Sequence, residues 1–168
     1  MASGSPPAWA DEARAAAEKT FTTLPALTGQ EEEWRFTPPT DLALEGPEPA
    51  ALDATVAASP ARAGERTARL TFVDGTITEA PGTTSDGVIV ADLADALSSH
   101  EALVRERLYS LVGFADKPGA LNAARWDSGT FVYVPAGVHV ELPVEALSTV
   151  TGAAGRVFGR TLIVVERG

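Results

Sequence analysis

Histidine and carboxylate side chains are the groups in this sequence that could support metal or acid–base chemistry. The chain has two histidines, His100 and His139, and no cysteine. This composition excludes disulfides, thiol catalysis, thiolate-bound zinc or iron–sulfur clusters, and multi-histidine metal sites in these residues. The carboxylates of Glu31, Glu32 and Glu33 are adjacent, so they point in different directions and do not converge on one cation. We expect no catalytic, metal or cofactor-binding residue here, and we expect the chain not to be an enzyme.

His139 ends the most distinctive motif of the sequence, the segment from Gly129 to His139 (GTFVYVPAGVH). The motif is similar to the second metal motif of cupins, in which glycines, a proline and a histidine present an imidazole inside a small barrel. Here the histidine stands one residue too early, and a slip of one residue in a strand moves a side chain to the opposite face. We interpret His139 as a strand residue on an outer face and His100 as a neutral surface residue. A cupin-like metal-binding barrel is kept as an alternative.

Composition divides the chain into four regions. Residues 1–37 form a helical appendage, 38–68 a linker rich in proline, alanine and glutamate, 69–126 a small α/β region, and 127–168 the start of a β-rich core. The linker region holds five of the twelve prolines and few large apolar residues, which is typical of extended chain.

Helix signals occur in the first and third regions. Ser5 is expected to cap the first helix, which ends before Pro25. Asp92 is expected to cap a second helix, and Ser98 with Glu101 is expected to form the capping box of a third. The predicted apolar stripe of the third helix consists of Val104, Leu108, Leu111 and Val112.

Short strands make up most of the remaining body. The pair Asp74 and Gly75 predicts a two-residue hairpin turn. After Trp126 the strands are closely spaced and no helix pattern interrupts them, which is typical of a sandwich, a barrel or the coils of a β-solenoid. A solenoid coil needs a neighbour on its open face, so we expect a chain that ends at Gly168 to be cut short. The expected strands are Phe131–Val134, Val138–Leu142, Val144–Val150 and Thr161–Val165.

Charge and hydropathy restrict the partners and the compartment. The formal net charge is −10 and the isoelectric point is about 4.6, which argues against sequence-independent binding to nucleic acid or to anionic lipid. No apolar stretch approaches the roughly 18 residues that a membrane span requires. The N-terminus also lacks the basic start and apolar block of a secretory signal. We therefore expect a cytoplasmic chain that binds neither nucleic acid nor membrane.

Three segments, in order along the chain, resemble the SufB/SufD family of iron–sulfur cluster assembly proteins. The run from Glu33 to Thr37 (EWRFT) is similar to a segment near the N-terminus of SufD proteins. Leu121–Ala124 followed by Gly129–Pro143 is similar to the entry into the core of the family, and Arg160–Gly168 resembles the next strand of that core. The first segment favours SufD over SufB, and the chain resembles only the N-terminal portion of such a protein.

The resemblance implies an α+β fold in which helical and α/β regions lead into the first coils of a right-handed parallel β-helix, truncated after residue 168. It also implies a scaffold component of the SUF system that acts with a SufB-like subunit and with SufC, an ATPase. The residues that the family assigns to iron, cluster or subunit contacts lie beyond this portion, so no such residue is carried over. An iron–sulfur cluster is implied only for the full complex.

Two further expectations concern protein contacts. Glu33, Trp34, Arg35 and Phe36 place charges beside two aromatic rings, which is typical of a docking segment. An interrupted β-helix would expose a strand edge, and we expect that edge to promote self-association. The other alternative is a stand-alone protein-interaction module that uses the Trp34 segment as its docking peptide.

Overall fold

A computed structural model describes residues 5–36, 38–39, 44, 66–150 and 156–168 of the chain. Helices and strands occupy most of these residues. Most of the predicted linker and residues 151–155 of the glycine-rich segment lie outside the described residues. The elements are α1 (Ala8–Thr23), a 3₁₀ turn (Glu32–Trp34), β1 (Ala68–Val73), β2 (Thr76–Glu79), β3 (Gly82–Thr83), β4 (Ile89–Asp92), α2 (Leu93–Ser99), α3 (Glu101–Arg105), α4 (Lys117–Arg125), β5 (Ser128–Val134), β6 (Val144–Thr149) and β7 (Gly159–Val165).

The strands form two mixed sheets. The three-stranded sheet has the order β2-β1-β6, in which β1 is antiparallel to β2 and parallel to β6. The four-stranded sheet has the order β3-β4-β5-β7, in which β4 is antiparallel to β3 and β5, and β5 is parallel to β7. Each sheet is therefore open, with an edge strand on either side.

The predicted right-handed parallel β-helix is wrong, whereas the α+β class agrees with the structure. Each of the two sheets contains at least one antiparallel pair of strands. Of the strands after Trp126, β5 and β7 belong to the four-stranded sheet, whereas β6 belongs to the three-stranded sheet. The expected strand Val138–Leu142 does not form, because Pro135 and Gly137 (φ 74°) turn the chain and the segment up to Pro143 stays irregular. The expected self-association edge therefore cannot be a β-helix edge.

Strand β5 separates two apolar cores, because alternate side chains of a strand point to opposite faces. Phe131 points to the core that includes Leu93, Leu97 and Trp126. Val132 and Val134 point to the other core, between the sheets. The residues that share this second core are Ala68, Leu70, Phe72, Val88 and Val90.

Local signals predicted several elements correctly. Asp74 (φ 47°) and Gly75 (φ 80°) are both left-handed, so the hairpin between β1 and β2 closes with a two-residue turn as expected. The carboxylate of Asp92 accepts a hydrogen bond from the Ala94 amide at 3.2 Å, which confirms the predicted cap of α2. Helix α4 also covers most of the helix expected from Pro118 to Trp126.

Two predicted caps and part of the predicted stripe are wrong. Helix α1 begins after Pro7 without a side-chain cap, so Ser5 does not cap it. Ser98 lies inside α2 and therefore cannot cap α3, which follows His100. Helix α3 ends at Arg105, and the chain then turns through Tyr109 (φ 68°). Because of this turn, Val104 and Leu108 are buried as expected, whereas Leu111 and Val112 are exposed.

Asp92 joins helix α2 to strand β5. Its side chain is buried, and the same oxygen, Oδ1, accepts from the amides of Ala94 at 3.2 Å and Gly129 at 2.8 Å. Burial raises the pKa of Asp92 above that of a free aspartate, although the two amide hydrogen bonds favour its charged form. One carboxylate thus holds both the start of the helix and the register of the strand.

Gly129 packs directly against the backbone of β7. Gly129 is the register partner of Arg160. A Cβ at position 129 would overlap the carbonyl oxygen of Arg160 and lie 3.0 Å from its amide nitrogen. Both neighbouring atoms belong to backbone, so neither can move without breaking the β5–β7 pairing.

Replacing Gly129 by alanine is expected to lower the free energy of unfolding by about 3 kcal/mol or more, because overpacking against backbone strains both strands. Gly159→Ala is the matched control, since a Cβ there meets no atom within 4 Å. Its expected cost is about 1 kcal/mol or less. Urea denaturation of both variants provides the measurement. Equal losses would contradict the packing assigned to Gly129.

The buried Asp92 carboxylate predicts a specific pH dependence of stability. Because its folded-state pKa is raised, Asp92 contributes most below about pH 4, and this contribution is lost as the pH rises through the folded-state pKa. Asp92→Asn keeps an oxygen acceptor but cannot ionise, so its unfolding free energy should fall less over this range. Asp86→Asn, at an exposed position outside this helix, is the control and should follow the parent chain. If the unfolding free energy of Asp92→Asn depended on pH in the same way as that of the parent chain, the role assigned to the Asp92 carboxylate would be wrong.

Candidate functional site

The predicted docking segment lies at the surface beside the 3₁₀ turn. Trp34 is partly buried, while Phe36 is 88% exposed. The guanidinium carbon of Arg35 lies 5.4 Å from the centroid of the Phe36 ring, and its Nη1 lies 3.6 Å from Oε1 of Glu32. Glu33 belongs to the 3₁₀ turn. The structure therefore presents an exposed aromatic ring with a cation beside it.

A local turn positions this segment after α1. Leu24 is extended because it precedes Pro25, and α1 therefore ends at Thr23. The Glu31 carboxylate then accepts hydrogen bonds from the amide and hydroxyl of Thr28 and, at 2.8 Å, from the amide of Gly29. Backbone hydrogen bonds lower the pKa of Glu31. The Glu31 carboxylate thus closes a turn.

Lys117 connects the end of α1, which precedes the segment, to the start of α4. Its Nζ donates hydrogen bonds to the carbonyl oxygens of Phe21 at 3.3 Å and Leu24 at 3.0 Å. The same ammonium lies 4.7 Å from the centroid of the Phe21 ring. The last carbonyl groups of a helix have no partner within it and carry partial negative charge, so a cation there is favourable. Lys117 begins α4, and α4 packs against α1.

An open groove separates the segment from the start of α4. Its volume is about 550 Å³, which is within the usual range for ligand pockets. Apolar side chains and prolines form most of its wall, and Glu31, Asp116 and Lys117 also line it. We call this groove, together with Arg35 and Phe36, the Trp34 surface. The residues that line the groove include Leu24, Pro25, Leu27, Trp34, Lys117 and Pro118.

The two histidines lie in unremarkable surroundings. His139 is exposed and lies in the irregular segment after β5, not in the strand that the sequence predicted. His100 lies between α2 and α3, with its ring centroid 5.8 Å from that of Phe131. Among the residues that the structure describes, no three His, Asp or Glu side chains come together as metal ligands would. The described sheets are open, so they provide no barrel around His139 and no support for a cupin-like site.

A second cluster, around Arg160, was not found from the sequence. Its guanidinium lies 4.3 Å from the centroid of the Tyr109 ring. Nη1 donates to Oδ1 of Asn122 at 3.1 Å, and Nη2 donates to the carbonyl oxygen of Val112. Burial lowers the pKa of Arg160. These partners lie far apart in the sequence, so no local pattern could have indicated them.

Curated proteins of one family resemble about half of the chain, although no protein-family model matches it. It is 36% identical over 85 residues to an iron–sulfur cluster assembly SufBD family protein of Mycobacterium tuberculosis, a region covering 50% of this chain and 10% of that protein. It is 40% identical over 83 residues to a SufBD family protein of Staphylococcus epidermidis and 37% identical over 83 residues to iron–sulfur cluster assembly protein SufB of Bacillus subtilis. Each match covers 49% of this chain and 18% of the relative.

These identities confirm the resemblance to the SufB/SufD family that the sequence motifs indicated. The matched region spans less than a fifth of each of these relatives. Among the described residues, no helix combines the length and apolar character needed to cross a membrane.

Removing the Lys117 ammonium should loosen the C-terminal end of α1. For Lys117→Met we expect a loss of about 1–2 kcal/mol in unfolding free energy, because two carbonyl groups lose a charged donor. Hydrogen exchange at Leu24, whose amide bonds to the Thr20 carbonyl at 3.0 Å, should accelerate. Lys19→Met, at an exposed position of α1, is the control. Unchanged exchange at Leu24 in Lys117→Met would contradict the tether.

Proposed function

We propose that this chain, which resembles the SufB/SufD family over half of its length, is a scaffold component of iron–sulfur cluster assembly. The observation that carries this proposal is the 36–40% identity to proteins named for that assembly. In this role the cluster is cargo of the complex, and the chain contributes shape and binding surface without catalysis of its own. We also propose that the chain acts in the cytoplasm.

The composition of the chain supports a scaffold role. With no cysteine, it cannot supply the thiolates that usually hold iron–sulfur clusters in proteins. In this proposal, thiolate ligands to a nascent cluster come from other polypeptide, either a partner subunit or sequence outside these residues. The chain itself contributes protein–protein contacts.

We assign the chain to the SufD side of the family and its partners to SufB-like and SufC-like subunits. The segment from Glu33 to Phe36 supports the SufD assignment, because it resembles a segment near the N-terminus of SufD proteins. The relatives named above include a SufB, so the identities alone support the family and not the subtype.

The Trp34 surface is the proposed contact with a partner. Phe36 is 88% exposed, so most of its ring area is in contact with water in the free chain. Burial of this apolar area at an interface would contribute favourable free energy to binding. Trp34, Arg35 and Phe36 belong to the residue types that are enriched in interfaces. Lys117 fixes the groove side of this surface, because its ammonium joins the end of α1 to the start of α4.

A stand-alone interaction module is the second candidate function, and the same exposed segment favours it. Such a module would bind a partner through Trp34 and Phe36 without any SufB-like or SufC-like subunit. Binding to a SufB–SufC pair discriminates between these two functions, because only the scaffold requires it.

The decisive experiment is co-purification of the tagged chain with a co-expressed SufB–SufC pair. We expect retention of the pair, and we expect Phe36→Ala to weaken it at least about tenfold while leaving the melting temperature unchanged. Val150→Ala is the control, because it also shortens an exposed apolar side chain (57% exposed). No retention by the parent chain would overturn the scaffold function. Retention that Phe36→Ala leaves unchanged would overturn only the role of the Trp34 surface.

A further inference from the structure

The groove of the Trp34 surface carries more negative than positive charge. Among the described residues that line it, Glu31 and Asp116 contribute carboxylates and Lys117 contributes an ammonium. Backbone hydrogen bonds lower the pKa of Glu31, so its carboxylate is ionised at neutral pH. Asp116 is exposed at the start of α4. The side chains on the groove wall therefore leave a net negative charge.

The ammonium of Lys117 is directed to the end of α1 and not to these carboxylates. It donates two of its three N–H groups to the carbonyl oxygens of Phe21 and Leu24. The last turn of α1 contains no basic residue of its own, so Lys117 compensates the partial negative charge at this helix end. In the described part of the chain, no salt bridge joins Glu31 or Asp116 to a cation. A cation from another molecule can therefore pair with these carboxylates.

An anion that approached the start of α4 would meet the charge of Asp116. Asp116 is the N-cap residue of α4, and its Oδ1 accepts a hydrogen bond from the Gly119 amide at 2.7 Å. The cap uses an amide that a helix start would otherwise offer to an anion, and the carboxylate repels a second negative charge. The groove thus favours a cationic group over a carboxylate or a phosphate.

The rest of the groove wall is suited to an apolar neighbour of that cation. Leu24, Leu27 and Trp34 are half-buried and Pro25 is exposed, so part of their apolar surface faces the groove. Lysine and arginine pack their apolar stems along such a surface while the charged head stays at its polar end. A segment that combines a basic residue with large apolar residues matches both the charge and the wall.

We propose that this groove binds a segment of a partner polypeptide in which a lysine or arginine stands beside large apolar residues. The carboxylates of Glu31 and Asp116 attract the cation, and the apolar residues pack against Leu27 and Trp34. This inference rests on the proposed role of the Trp34 surface as a partner contact. It adds the chemistry that the partner must supply, and it excludes acidic segments.

Titration of the labelled chain with short peptides tests this chemistry without any other subunit. The probe is acetyl-Leu-Leu-Arg-amide, followed by nuclear magnetic resonance at the Trp34 indole and the Gly29 amide. We expect saturable shifts with a dissociation constant on the order of 1 mM. Acetyl-Leu-Leu-Glu-amide and acetyl-Gly-Gly-Arg-amide should bind at least about tenfold more weakly, because each lacks one of the two matched features.

Three results of this titration would overturn the proposal. The first is the absence of a saturable shift with the Leu-Leu-Arg peptide. The second is binding of the Leu-Leu-Glu peptide that is as tight as that of the Leu-Leu-Arg peptide. The third is a shift of the same signals when the chain is concentrated without peptide, because a second copy would then be the occupant of the groove.

Asp116→Asn removes one charge of the groove and keeps the helix cap, since asparagine caps a helix about as well as aspartate. We expect the melting temperature to stay unchanged and the dissociation constant of the Leu-Leu-Arg peptide to rise about threefold. Asp86→Asn removes the same charge at an exposed position that does not line the groove, and it should bind the peptide like the parent chain. Equal binding by Asp116→Asn and Asp86→Asn would show that Asp116 does not attract the cation and would overturn the proposal.

The peptide titration and the co-purification with a SufB–SufC pair separate the two proposals. If the Leu-Leu-Arg peptide binds as expected but the pair is not retained, the scaffold function is wrong and the chemistry of the groove stands. If the pair is retained but the peptide does not bind, the chemistry of the groove is wrong and the scaffold function stands.

Discussion

The hydrogen bonds accepted by the buried carboxylate of Asp92 are the constraint on which the rest of the structure depends. One oxygen binds the first turn of α2 and the amide of Gly129, so it sets where the helix starts and where β5 begins. Gly129 in turn permits β7 to approach closely, because no Cβ separates the two backbones. A helix, a central strand and an edge strand therefore share one junction. Burial of a carboxylate costs free energy, and these hydrogen bonds offset part of that cost.

Strand β5 begins at this junction and contributes side chains to both cores. Its register places Phe131 against the helices and Val132 and Val134 against the three-stranded sheet. The same register sets the direction of β7, since the two strands pair along their whole length.

The Trp34 surface offers a place for protein contacts. It combines the exposed Phe36 ring and the guanidinium of Arg35 with a groove that lies between the end of α1 and the start of α4. Lys117 joins these two helix ends by hydrogen bonds. The surface requires neither a metal nor a nucleophile from this chain.

The sequence by itself determined the features that depend on neighbouring residues. The Asp74–Gly75 turn and the Asp92 cap could both be predicted, because each depends on the conformation or chemistry of a few adjacent residues. Strand pairing could not: β6 joins β1, and β7 joins β5, through contacts between distant parts of the chain. The same holds for the Lys117 tether and for the cluster around Arg160. Only the tertiary structure decided these features, since periodicity shows which face of a strand is apolar but not which strand covers its edge.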